Sequence, residues 1–464
     1  MEGGSDGDDG KTFLLNSNSS SSSESSPMIE KQVGRREERS GGVWTALAHI
    51  TTAAIGSGVL SLAWSMSQLG WIAGPITMLV FSALTLTSAL LLCNCYMSPN
   101  PIDPLLLPYR RNASYVDAVR AILGKKNAWL CGVVVHINYI KTGIVYTLTS
   151  SFSMRAIQMS NCYHTKGHTA DCEFETTHYV LLFGFVQVIM SQIPEFRKTS
   201  WLSIVAAIMS VVYATIGSAL GLAKTIENGE IKGSTGGVPA FSAAEKTWSI
   251  AQAIGDIAFA SPYSLIFLEI MDTMKSNPPE KVTMKKASLA AATTIGGFNL
   301  LCGGLGYAAF GNSTPGNLLT GFGFYDPYWL IDFANACIAL HLVGGYQVYT
   351  QPLYASVEKC FDMKQMPVGK LNLLRLCYRT AYVGLTTGVA VMFPYFNQVI
   401  GVGGAVTFWP VVLYFPVEMY LVQKKIGAWR VEAIVLRMCS LMGLLAMIFA
   451  FVGSIKGLLA AKFI

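Results

Sequence analysis

The sequence predicts an all-α polytopic membrane protein, and three observations carry that prediction. Hydrophobic residues make up 52% of the chain and charged residues only 13%, with a positive mean hydropathy; this balance is far from that of a water-soluble domain. Apolar runs of about twenty residues, enough for a helix to cross roughly 30 Å of hydrocarbon, recur from residue 44 onward. The segments joining them carry Lys and Arg almost entirely on alternate sides. Helices are the natural solution, because hydrocarbon leaves the backbone amides of most other structures without partners.

Residues 1–42 hold no apolar block. Asp6, Asp8 and Asp9 are followed by a serine run at 19–23 and a mixed-charge run at 31–39, so a disordered cytosolic tail is expected. No short apolar stretch with a small-residue cleavage site lies near Met1, and the tail is expected to be retained. Crossings then follow at 43–66, 71–97, 129–157, 177–193, 200–223 and 247–271. The remainder lie at 287–310, 328–357, 374–394, 399–421 and 433–455, about eleven in all. They group into a first five-helix repeat (43–223), a second of opposite orientation (247–421) and an eleventh helix (433–455).

Cytosolic loops retain Lys and Arg. With the N-terminus inside, Arg110, Arg111, Arg120, Lys125, Lys126, Arg197, Lys198, Lys281, Lys285, Lys286, Lys424 and Lys425 all fall on the cytosolic side. The outer segments hold chiefly Lys166, Lys224, Lys232 and Lys246. An odd number of crossings then puts the C-terminus outside. The net charge of +6 follows from this asymmetry and faces anionic lipid. Without a basic stripe interleaved with aromatics it does not imply nucleic acid. There is no P-loop, metal-ligand pair or nucleophile elbow, so neither an enzyme nor an ATP-driven pump is expected, and no cofactor or metal.

Cys93, Cys131, Cys302, Cys337 and Cys439 lie in crossings and are read as small apolar residues. Cys162 and Cys172 instead flank a short polar loop outside, where a disulfide persists and contributes roughly 2–3 kcal/mol. His164 and His168 lie between them, which leaves zinc as the alternative, although paired CxxC spacing is missing. The sequon at Asn312 falls outside and is a candidate glycosylation site; the one at Asn112 falls inside and is expected to stay bare.

Two crossings are interrupted midway. In the first, Ile55-Gly56-Ser57-Gly58 either lets the backbone leave helical geometry or marks close packing through small residues. In the first case the amides of residues 55–59, with the hydroxyls of Ser57 and Ser61, form an anion site at a half-helix N-terminus. In the sixth, Phe259-Ala260-Ser261-Pro262-Tyr263-Ser264 contains a proline, which removes a donor and clashes with the preceding turn. Breaks at equivalent places in an inverted repeat meet at mid-depth. Amide donors on one wall and carbonyl acceptors on the other suit a zwitterion.

The motifs at these places carry a resemblance. Residues 53–64 read AAIGSGVLSLAW, residues 253–260 read AIGDIAFA and residues 306–312 read GYAAFGN. Pro315-Gly316-Asn317, Ile331-Asp332-Phe333-Ala334-Asn335, Phe408-Trp409-Pro410 and Tyr414-Phe415-Pro416-Val417-Glu418-Met419 continue it. The chain resembles the plant amino acid permeases of the amino acid/auxin permease superfamily over nearly everything after the tail. The resemblance implies a five-plus-five inverted repeat with broken helices 1 and 6 plus helix 11, and proton-coupled import of amino acids, mainly neutral but broad in range, across the plasma membrane. Amino acid, proton and lipid bilayer are the partners expected; no oligomeric state follows. Fold analogy adds Tyr146 and Asn335, with His341, to the side-chain pocket beside Ile55, Gly56, Ser57, Gly58, Ser61, Phe259, Ala260, Ser261 and Ser264. An auxin or other carboxylate carrier, or an amino acid sensor that does not transport, is the alternative.

Two departures from the family pattern stand out. Ser261-Pro262 replaces a usual Tyr-Ala in the sixth crossing, and Lys141 stands in the third, within HINYIKTG at 136–143, where a small residue is general. An ammonium at mid-membrane is costly unless it pairs or faces the bundle interior. Asp256 is its natural partner in a fixed structural ion pair; alternatively Lys141 occupies a position comparable to a bound cation or titrates during transport. His49 and His341 match family histidines, and imidazole suits proton relay. His49, Lys141, Asp256 and His341 are thus the proton-coupling candidates, with a plain hydrogen bond to a carbonyl as the alternative for each histidine.

Overall fold

Glycine, proline and charge punctuate the apolar runs, and the helices of the computed structural model stop at those marks. It describes residues 39–99, 109–193, 200–324, 327–361, 363 and 366–463; most of the expected tail, through residue 38, lies outside them. Helix α1 (Val43–Ala54) is followed by a 3₁₀ turn (Ser57–Ser61) and by α2 (Leu62–Cys95). Gly70, at φ +81°, divides α2 into the end of the first crossing and the whole of the second. A two-stranded antiparallel hairpin, β1 (Met97–Pro99) with β2 (Tyr109–Arg111), leads to α3 (Tyr115–Leu123), whose first turn is capped by Ser114.

Then come α4 (Lys125–Lys166), α5 (Thr176–Ser191) and α6 (Ser200–Asn228). The sixth crossing is divided into α7 (Ala243–Ala260) and α8 (Ser264–Met271). Next are α9 (Glu280–Phe310), α10 (Tyr328–Cys360) and α11 (Val368–Met392). The tenth crossing is α12 (Phe396–Phe408), a π-helical turn (Trp409–Tyr414) around Pro410, and α13 (Phe415–Gln423); α14 (Val431–Phe463) follows. Among the described residues, eight helical stretches are long and apolar enough to cross a membrane. Dividing the first at Gly70 and adding the shorter α5 and the more polar α11 reproduces the expected order of crossings.

The helices outrun the apolar runs that announce them. The third crossing, expected at 129–157, is part of a helix that continues through Asn161 and His164 to Gly167, at φ +82°. Hydropathy measures how much of a helix lies in lipid, whereas the hydrogen-bonded ladder runs on into water until a residue favours another conformation.

Packing places α2 against α9, α4 against α10, and both α12 and α14 against α7. At one end, Glu358 of α10 accepts from Arg375 Nε at 2.8 Å and Nη2 at 2.7 Å, and from Arg379 Nη2 at 3.1 Å. Arg379 also donates to the Ser191 carbonyl at 2.7 Å, so the network ties the ends of α5, α10 and α11 together. At the other end, residues 232–238 fold over Gly70. Trp71 Nε1 donates to the Lys232 carbonyl, and Lys246 Nζ donates to the carbonyls of Gln68 and Val238.

Cys162 and Cys172 are disulfide-bonded. The histidines between them face rings rather than converging on a metal position: His168 stacks on Tyr163 and hydrogen-bonds Tyr328, and His164 lies against the Tyr328 ring. Asn312 is exposed on a 3₁₀ turn. Asn112 is buried, donating to the Cys95 carbonyl and accepting from Ser98.

Candidate functional site

The first interruption is a true break. After Ala54 the backbone leaves the α region at Ile55 (ψ 82°) and Gly56 (ψ −144°) and resumes as a 3₁₀ turn at Ser57. Close packing is also present: a β-carbon on Gly58 would stand 2.8 Å from Ala260 Cα and 3.1 Å from the Phe259 ring. Both readings of the glycines therefore hold, Gly56 sitting in the break and Gly58 letting it touch the end of α7. The sixth crossing opens at Ser261, Pro262 and Tyr263, between α7 and α8.

The free donors are fewer than expected over residues 55–59. Ile55 N–H donates to the Thr51 carbonyl and Gly56 N–H to that of Ala54. The open amides are those of the first residues of the 3₁₀ turn, Ser57 and Gly58, which have no intrahelical acceptor. Ser61 does not join them, since its hydroxyl donates to the Gly58 carbonyl at 2.9 Å. Ser57 Oγ is buried without a hydrogen-bond partner.

Tyrosines take up the carbonyls that the break releases. Tyr213 Oη on α6 reaches the Ile55 and Gly56 carbonyls at 3.1 and 3.0 Å, and Tyr349 Oη on α10 donates to the Ala53 carbonyl at 3.0 Å. A buried acceptor left unpaired costs about 1–3 kcal/mol, so Tyr213→Phe should destabilise the protein by that order. A thermal melt in detergent unchanged from the parent would show that this tyrosine does not brace the break.

Between the two breaks lies a cavity of about 50 Å³, room for a few water molecules at roughly 10–15 Å³ each. Gly56, Ser57 and Gly58 line it from the first crossing, Phe259, Pro262 and Tyr263 from the sixth, and Asn138, Lys141, Thr142 and Tyr146 from α4. Tyr349 of α10 and Thr407 of α12 complete the polar lining. Tyr263 Oη, like Ser57 Oγ, has no partner.

Of the residues expected from sequence, Gly56, Ser57, Gly58, Tyr146 and Phe259 thus reach the cavity. Ile55 and Ala260 are buried next in sequence to the lining residues Gly56 and Phe259 and do not line it themselves. The other four expected residues spend their side chains on the scaffold: Ser61 on Gly58, Ser261 on the Ile257 carbonyl, Ser264 on Ser88 and Asn335 on the Ile331 carbonyl. Sequence reasoning missed Asn138, Thr142, Tyr213, Tyr263, Tyr349 and Thr407. Asn138, Thr142 and Tyr146 had a signal, since steps of four place them on one helix face.

His341 Nδ1 lies 2.9 Å from the Ala206 carbonyl. Ser210 Oγ stands 3.1 Å from the same nitrogen and can donate to it or accept from it, so the ring's tautomer follows the Ser210 hydroxyl. Nε2 is unpartnered and lies 3.9 Å from where a β-carbon on Gly56 would stand. His49 is half-buried on α1, outside the cavity lining.

Lys141 and Asp256 are not paired. Lys141 Nζ sits 4.4 Å from the Phe259 ring centre, and the side chain lies beside Gly403, where a β-carbon would be 3.0 Å from its Cδ. Asp256 lies beside Gly401, with Oδ2 3.5 Å from Ser65 Oγ and Oδ1 unpartnered. Residues two apart on a helix point about 200° from each other, so α12 stands between the two charges.

The chain matches the family model described as transmembrane amino acid transporter protein over residues 39–456. The chain belongs to this family. The transporter is 52% identical over 445 residues to Probable amino acid permease 7 of Arabidopsis thaliana, covering 92% of this chain and 94% of the relative. It is 48% identical to Amino acid permease 3 of the same plant, covering 91% and 92%. Among solved structures, MhsT in complex with L-phenylalanine aligns at a TM-score of 0.57 with 11% identity, covering 90% of this chain and 99% of that one. This likeness gives the transporter fold. The protein is accordingly a multi-pass membrane amino acid transporter and not an enzyme.

Proposed function

We propose that the protein imports amino acids together with protons across the plasma membrane by alternating access, with its N-terminus in the cytosol and its C-terminus outside. The observation that carries the site is the contact of the first break with the end of α7, beside the second, at a cavity whose walls hold the unpartnered Ser57 Oγ and Tyr263 Oη. The amides of Ser57 and Gly58 receive the substrate carboxylate at the positive end of the turn. The carbonyls ending α7 receive its ammonium group. Tyr146 and Phe259 close over it, and Ile55, Ser61, Ala260, Ser261, Ser264 and Asn335 hold the walls.

Two interior ionisable groups keep an unpartnered polar atom: His341 Nε2, which faces the first break, and Asp256 Oδ1, against the tenth crossing. Either can take a proton when the site opens outward and release it inward. A proton crossing 100 mV yields about 2.3 kcal/mol and one pH unit about 1.4 kcal/mol more. Together these support roughly a 500-fold amino acid gradient. The names of the Arabidopsis relatives, amino acid permeases, support the substrate class.

The test is uptake of a labelled amino acid panel, with current recording, in cells lacking their own carriers. Accumulation and inward current that rise as the outside is acidified are expected. Saturable binding without accumulation would make the protein a sensor, uptake of indole carboxylates alone would make it an auxin carrier, and dependence on sodium instead of acidity would overturn proton coupling.

A further inference from the structure

Lys141 is the one cation on the cavity wall, and no carboxylate offsets it among the described residues. Asp256, its expected partner, lies across α12. The Phe259 ring beneath the ammonium gives a weaker return than an anion would, because a ring quadrupole attracts less than a full charge. The groups beside it add hydrogen-bonding capacity without charge. Asn138 stands one turn before it on the same face of α4, Thr142 follows it, and Thr407 lines the cavity from α12. Tyr146 on α4, Tyr263 and Tyr349 add hydroxyl-bearing rings to the lining. A buried charge is maintained at least cost when its counter-charge arrives with it, and the cavity is the place from which one arrives.

Resting on the reading above, in which the first break holds the α-carboxylate, we propose that Lys141 binds a second carboxylate on the substrate. The transporter is thereby tuned to amino acids with an acidic side chain, glutamate or aspartate. The long, flexible lysine stem, lodged against Gly403, places the ammonium over the Phe259 ring, on a different element from the open amides of Ser57 and Gly58. The same charge repels lysine and arginine as substrates. Glutamine, isosteric with glutamate but uncharged, gains only a hydrogen bond there.

The experiment is competition for labelled-substrate uptake by glutamate, glutamine and lysine in carrier-deficient cells, at an outside pH where glutamate is ionised. The protein is compared with Lys141→Met and Lys141→Arg, each normalised to surface protein. The unaltered protein should prefer glutamate to glutamine at least 10-fold and exclude lysine. Lys141→Met should collapse that ratio 10-fold or more, and Lys141→Arg should retain most of it. A glutamate-to-glutamine ratio near one in the unaltered protein overturns the proposal without any variant needing to fold. So does a ratio that Lys141→Met leaves intact. If surface protein takes up no amino acid at all, the transport reading itself fails, an outcome separate from either ratio.

Discussion

Replacing Gly58 with alanine should abolish uptake while leaving the protein in the membrane. The added β-carbon would stand 2.8 Å from Ala260 Cα and 2.9 Å from Ala260 Cβ, and 3.1 Å from Phe259 Cδ1. Two of these neighbours are fixed to main chain and have no rotamer to yield. The 3₁₀ turn must therefore move away from α7, carrying the open amides of Ser57 and Gly58 out of register with the opposite wall. Displacing a binding group by about 1 Å costs on the order of 100-fold in activity, and uptake per surface copy should fall at least that far. Gly56→Ala is the control: its β-carbon meets the Tyr146 hydroxyl at 3.3 Å, with the Tyr146 ring 3.8 Å and His341 Nε2 3.9 Å away, all of them side-chain atoms that can yield. The loss there should be smaller and partly relieved by adding Tyr146→Phe. Equal, unrelieved losses at both glycines would remove the contact between the breaks as the cause.

Glu358→Ala should be the most destabilising single change outside the cavity. Its carboxylate accepts from two arginines and from the Tyr378 hydroxyl at 2.9 Å, and the Arg379 side chain is only 4% exposed. Removing the acid leaves a buried guanidinium without an anion, and breaking a buried pair in this way costs about 3–5 kcal/mol. Lys224→Ala breaks the exposed pair with Glu227, where about 0–1 kcal/mol is at stake. Thermal unfolding in detergent should separate the two clearly. Equal melting temperatures would mean that water reaches Arg379 and that the network does not hold α5, α10 and α11 together.

The crossings and both interruptions were legible in the sequence because each has a local cause. Residues 55–58 place two glycines in an apolar run, and Pro262 sits in another. The first partners of the break were not legible. Tyr213 and Tyr349 lie in apolar spans where an aromatic residue gives no hint that its hydroxyl seeks a carbonyl more than 150 positions away. The expected pairing of Lys141 with Asp256 failed for a similar reason. Both charges are interior, and the sequence carries the attraction between opposite signs but not the helix that lies between them. Ser61, Ser264 and Asn335 have the right chemistry for a binding wall; Ser61 and Asn335 bond instead within their own turn or helix, and Ser264 bonds to Ser88 on α2.

The bracing of the first break by phenols from α6 and α10 constrains how the site changes the side to which it opens. Any tilt of α1 relative to these helices stretches the contacts at Ala53, Ile55 and Gly56. Either the three helices rock as one block, or solvent must enter to replace the departing hydroxyls. Reorientation is therefore geared to wetting of the protein's midline, and a tyrosine lost from this brace alters the speed of the cycle even when the substrate still fits.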